Sequence, residues 1–299
     1  MSMRNLLVLL LSFAVVACQP RDSEHSAEKV GSNATGENAD AAAATRPAKA
    51  KVDQEAPPPG PGEVLHMIYL VEGDGTSSYP VQNGSIATYW AGHAFTLNGK
   101  RYFTGFAYNT SEKYNGNTKV DPSAGVTLTE ATFELRDPGT AKPWAFVGNE
   151  YWIGEYGLME KGPRFDGSRK VLEQRVDNGK ILIAIPSVDG EAPNLIQTHY
   201  ELFSYRPAPP VHTEDKRWNY LGKILVGEDY SATCKARPDL ACTKWTGDVA
   251  FLPAKAGEMP GIRMVPHGTT VDDNTGESRP IGANDIQIYA FRNGSYGFK

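Results

Sequence analysis

From residue 63 onward, apolar residues fall in short runs broken by Gly, Pro, Asn and Asp, and no long amphipathic stretch of helical period follows residue 18. Val64–Val71, bounded by Gly62 and Gly73, is rich in β-favouring apolar residues and predicts a strand. Ala94–Leu97 and Lys100–Phe103 flank Asn98-Gly99, a pair that supplies the positive φ angles of a two-residue hairpin. Val171–Val176 and Ile181–Ile185 flank Asp177-Asn178-Gly179-Lys180, and Ile286–Phe291 and Tyr296–Phe298 flank Arg292–Ser295, so two more hairpins are expected. Thr127–Leu135 and Thr198–Tyr205 also suit strands. The pattern predicts a mainly β body: an antiparallel sandwich, a barrel or a small propeller. Pro207-Ala208-Pro209-Pro210 makes a poor strand, because each proline lacks an N–H donor. It sets an expected linker over 207–212 between a β-rich domain, 63–206, and a second piece, 213–299, that is either a module or an extension of the first sheet.

Residues 19–62 differ in kind. They are rich in Ala, Pro, Glu, Ser, Asn and Gly, nearly empty of large apolar residues, and end in Pro57-Pro58-Pro59-Gly60-Pro61-Gly62. Such a composition buries too little apolar surface to offset the entropy of ordering, which predicts a disordered tether. Treated as a coil, it reaches roughly 35–40 Å. Before it, Arg4 precedes the apolar run Leu9–Ala17, too short to span a bilayer comfortably and typical of a secretory signal. Val15-Val16-Ala17-Cys18 resembles the lipobox of bacterial lipoproteins, with Val where Leu is commoner at the first position. The resemblance covers residues 1–18 only. It implies removal of residues 1–17, acylation of Cys18 and a membrane anchor. Gln19 stands where an aspartate would favour the inner membrane, so the resemblance implies the periplasmic face of the outer membrane.

Charge and chemistry narrow the picture further. The chain carries a formal net charge of −5, and loss of Arg4 with the leader takes it to about −6. That balance lacks the clustered Lys and Arg that nucleic acid requires, so nucleic-acid binding is excluded. With Cys18 assigned to lipid, Cys234 and Cys242 remain as a pair separated by seven residues. In an oxidising compartment the pair predicts a disulfide-stapled loop, since the Cys-x-x-Cys spacing of redox sites is absent.

No catalytic signature stands out. Asn293-Gly294-Ser295-Tyr296-Gly297 lacks the first glycine of a nucleophile elbow and falls in an expected hairpin. Asp272–Glu277 resembles a calcium loop but has Gly276 at a ligand position and Glu277 where the turn glycine belongs, so a solvated hairpin tip is expected. His199 and Glu201 would share a strand face, yet no His-x-His or His-Glu-x-x-His pattern supports a metal. No cofactor is implied. Glu150, Glu155 and Glu160 lie among aromatics, the arrangement a glycan-cleaving enzyme would use, but a spacing of five puts Glu150 and Glu155 on opposite faces of a strand. The same stretch offers Tyr151, Trp152, Glu155 and Tyr156 as a binding surface, whereas Trp90, Trp144, Trp218 and Trp245 suit a core.

These observations lead to one expectation: a non-enzymatic, envelope-anchored lipoprotein whose β body binds another macromolecule. Its most concrete form is an immunity or inhibitor protein neutralising a secreted, toxic hydrolase. An enzyme acting on cell-wall glycan, and an outer-membrane assembly protein, are the alternatives.

Overall fold

A computed structural model describes residues 56–113, 119–176, 179–190, 194–207 and 215–299. The signal, Cys18 and residues 19–55 of the tether lie outside them, as do Asp177 and Asn178 of the second hairpin turn. The body is mainly β, as expected, and consists of two antiparallel sheets preceded by a helix. The helix, α1, spans Pro61–Tyr69. The first sheet is a five-stranded meander in sequence order: β1 (Tyr79–Pro80), β2 (Ile86–Leu97), β3 (Lys100–Asn109), β4 (Val126–Leu135) and β5 (Trp144–Tyr156). The second contains β6 (Arg164–Phe165), β7 (Leu172–Val176), β8 (Lys180–Asp189), β9 (Ile196–Tyr205), β10 (Trp218–Asp229), β11 (Lys244–Phe251), β12 (Ile262–Val271), β13 (Ser278–Pro280), β14 (Gln287–Arg292) and β15 (Ser295–Phe298). Its order is β15-β14-β12-β11-β10-β9-β8-β6, with β13 on β12 and β7 on β8. A short helix, α2 (Ser231–Ala236), connects β10 to β11.

Alternation along β8 shows how the layers stack. Ile181, Ile183 and Ile185 face the first sheet and join Trp90, Phe95, Phe106, Leu128, Phe203 and Trp218 in the core between the sheets. Leu182 and Ala184 face the other way, into a second core with Leu202, Val226, Ile262 and Met264. β8 is therefore buried on both faces, which explains its unbroken apolar run. The late strands of the second sheet curl over its outer face and bring β15 against β10. On the outer face of the first sheet, α1 closes a third core with Phe103, Ala107, Ala131 and Phe133.

Two of the expected turns are seen directly. Asn98 (φ 52°) and Gly99 (φ 75°) join β2 to β3, and Asn293 (φ 50°) and Gly294 (φ 86°) join β14 to β15. Ser295 thus begins a hairpin strand. Asp272–Glu277 is the turn between β12 and β13, where Asp272 Oδ1 accepts the main-chain N–H groups of Asn274 (2.9 Å) and Thr275 (3.1 Å). Cys234 and Cys242 are bonded to each other, with Cα atoms 5.9 Å apart.

Two expectations are corrected, and one left open is narrowed. Val64–Val71 is not a strand: Pro61 opens a helix, and Val64, Leu65 and Ile68, spaced one and four apart, form its buried face. Second, the end of the proposed tether belongs to the body. Pro59 is buried, Trp144 Nε1 donates to the Pro57 carbonyl at 2.7 Å, and Gly62 packs so close to the Gly73 carbonyl that a side chain has no room. Of the two alternatives left open for 213–299, the β9–β10 pairing from Tyr205 and Trp218 matches the sheet extension, since it continues the sheet across 207–212. The change of sheet falls instead between β5 and β6. Prolines interrupt a strand's own ladder but do not prevent the chain from turning back to pair with itself.

Candidate functional site

β5 is the long open edge of the first sheet, and its aromatics divide between surface and interior. Tyr151 and Trp152 are 64 % and 50 % exposed, and Phe146, on the same strand, is 42 % exposed. With Leu70 at the end of α1 and Val81, Tyr151 and Trp152 line an open cleft of about 660 Å³. The Lys216 ammonium sits 3.1 Å from the centre of the Trp152 ring, holding the indole in place by a cation–π contact. Glu155 is exposed close by on the same strand. Tyr156 departs from the expected surface: it is only 5 % exposed and turns into the core between the sheets. The reason is local. Asp189 of β8 accepts from its hydroxyl and Lys223 of β10 lies over its ring, so the second sheet covers that face.

Glu150 and Glu155 separate as their spacing predicts. Both carboxylate oxygens of Glu150 accept main-chain N–H groups, from Arg217 at 2.6 Å and Trp218 at 3.0 Å, which ties β5 to the start of β10. Glu160 is bound by Lys113 and Ser111. Burial would raise its pKa, but these donors hold it below the usual carboxylate range. Glu150 and Glu160 are thus each engaged by donors of their own.

Sequence reasoning placed His199 and Glu201 on one face but missed what surrounds them. Ser187 and Asp189 of β8, Tyr220 and Lys223 of β10 and Tyr156 of β5 complete a polar cluster between the sheets. Tyr156 donates to Asp189, with oxygens 2.8 and 2.7 Å away, and Lys223 reaches Asp189 at 3.0 Å. Ser187 and Tyr220 each donate to Glu201 at 2.6 Å. Tyr220 and Lys223 are three apart and would lie on opposite faces of a regular strand. A bulge between them, at Gly222 (φ 92°), brings both to this face. That bulge has no signal in the sequence beyond the glycine.

Burial sets the protonation of this cluster. It pushes Glu201 up to about 7, against the two hydroxyl donors that favour the carboxylate. Burial and the nearby Lys223 charge push His199 down to about 4. Burial would also raise Asp189, but the donors Tyr156 and Lys223 and the Lys223 charge hold it low. His199 Nδ1 lies 3.6 Å from Asp189, beyond hydrogen-bond distance. Ser187 and Glu201 are fully buried, and the bond from Tyr156 to Asp189 joins the two sheets at this cluster. Among the described residues, no three His, Cys, Asp or Glu side chains converge as a metal requires.

Comparison with protein-family models, with curated proteins and with solved structures finds no match for this chain.

Proposed function

We propose that this chain is an envelope lipoprotein, anchored through acylated Cys18, whose β body binds a secreted hydrolase and blocks it. The observation that carries the binding half of this reading is the exposed pair Tyr151 and Trp152 on an edge strand, lining an open cleft of mixed polar and apolar residues. Tyr and Trp are the anchors most often responsible for binding energy at protein interfaces, and an edge strand leaves them unobstructed. The anchor and the secreted target rest on the lipobox resemblance and on the expected tether, which would let the body reach a partner away from the membrane.

The test is inhibition, not capture alone. The full chain is mixed with purified secreted hydrolases of its own organism, and complex stoichiometry and enzyme turnover are measured together. A one-to-one complex that silences one hydrolase is expected, with Trp152→Ala weakening it about 30-fold or more. If no secreted hydrolase is inhibited, or if Tyr151→Ala and Trp152→Ala both inhibit as well as the unaltered chain, this reading is wrong.

A further inference from the structure

Lys161 N–H donates to the Leu158 carbonyl at 3.2 Å, closing a tight turn just past β5. Its two central residues, Met159 (φ 54°) and Glu160 (φ 53°), both lie in the left-handed region. The turns at 98–99 and 293–294 place Asn-Gly at the same two positions, the pair that tolerates positive φ. Met and Glu tolerate it poorly, so this turn is held against its own sequence. The surrounding fold supplies the hold. Met159 N–H donates to the Pro122 carbonyl at 3.3 Å, and Glu160 N–H to the Ala124 carbonyl at 2.8 Å. The Glu160 carboxylate turns inward to Lys113, Ser111 and the Asp121 N–H, and its side chain is 5 % exposed. On either side, Gly157 and Gly162 pack so close to the Lys161 carbonyl and the Tyr108 ring that a side chain has no room. These contacts account for Glu160. They do not account for Leu158 and Met159, which are 64 % and 51 % exposed, where burial gives nothing to offset the strain.

We infer that Leu158 and Met159 form a knuckle that enters an apolar pocket of the protein partner. Departures from local turn chemistry concentrate at functional positions, where the rest of the fold holds them in place. A clamped turn presents its side chains already ordered, so little freedom is lost when they are buried against a partner. That suits a shaped pocket. A bilayer has no shape to match, and two side chains give it little apolar area. The knuckle also lies away from the start of the described chain. Trp144, which holds Pro57, opens β5, and the knuckle follows the other end of that 13-residue strand, roughly 40 Å on. The inference rests on the binding reading for its partner, the secreted hydrolase, and adds anchors beyond Tyr151 and Trp152.

The inhibition assay with the full chain tests it, using Leu158→Ser, Met159→Ser and Met159→Gly. Both side chains are exposed, so each variant is expected to unfold at the urea concentration of the unaltered chain. Met159→Gly keeps the left-handed φ and removes only the side chain. Each variant is expected to weaken inhibition about tenfold. If Trp152→Ala weakens inhibition and none of the three does, the knuckle is overturned and the hydrolase reading stands. If the three weaken it while Tyr151→Ala and Trp152→Ala do not, the knuckle stands and the surface proposed on β5 falls. If no secreted hydrolase is inhibited, both fall.

Discussion

Strands β8, β9 and β10 carry polar clusters towards both ends, and the two differ in how their charged groups are met. Towards the end of β8, Asp189 and Glu201 meet donors from three strands, while, among the described residues, the buried His199 Nδ1 has no hydrogen-bond partner. At the start of β8, among the described residues, Arg206 is paired with Asp215, and the buried Tyr205 hydroxyl and Arg217 Nε have no partner. Carboxylates bound by donors from several strands join those strands, whereas a buried polar atom without a partner is a cost that the rest of the fold offsets.

Trp218 stands between the clusters and should matter most. Its ring is fully buried against Phe95, Phe106, Phe203 and Tyr205, and its Nε1 donates to Thr132 at 3.0 Å. Trp218→Ala is expected to cost about 3–5 kcal/mol in urea unfolding and to loosen both ends together. A loss below about 1 kcal/mol would show that the sheets do not depend on this ring. Tyr156→Phe isolates the Asp189 end: it deletes the donor to Asp189 and should cost about 1–3 kcal/mol while leaving the Arg206–Asp215 pair unchanged.

The smallest effect is the most specific. Glu201 is raised to about 7, so its contribution is complete below its ordinary value and is lost as pH rises through 7. His199 is lowered to about 4, so its contribution is complete above its ordinary value and is lost as pH falls through 4. Between about pH 4.5 and 6.5 the two oppose each other. Relative to the unaltered chain, Glu201→Gln should make stability rise more steeply with pH across this window, and His199→Gln should make it fall. Each difference is bounded by about 1.4 kcal/mol per pH unit. Parallel stability curves for all three proteins would show that neither group titrates on unfolding as its burial implies.

Particular residues show what was legible. Asn98-Gly99 and Asn293-Gly294 announced their hairpins because a local φ requirement selects those residues. Val64–Val71 misled because a short apolar run fits a strand and a buried helix face equally, and only the Pro61 start separated them. The exposure of Tyr151 and Trp152 and the burial of Tyr156 could not be told apart within one aromatic stretch, since each depends on where the second sheet ends.

By itself, the sequence determined the β class and two of the turns, because alternation and backbone φ are local properties. It also marked the two cysteines as a pair, although only the fold brings them within bonding distance. The tertiary structure decided which strand became an edge, which aromatics faced water, and which charges were balanced. Those outcomes depend on pairing register and on the Gly222 bulge, which place residues far apart in the chain within a few ångströms of each other.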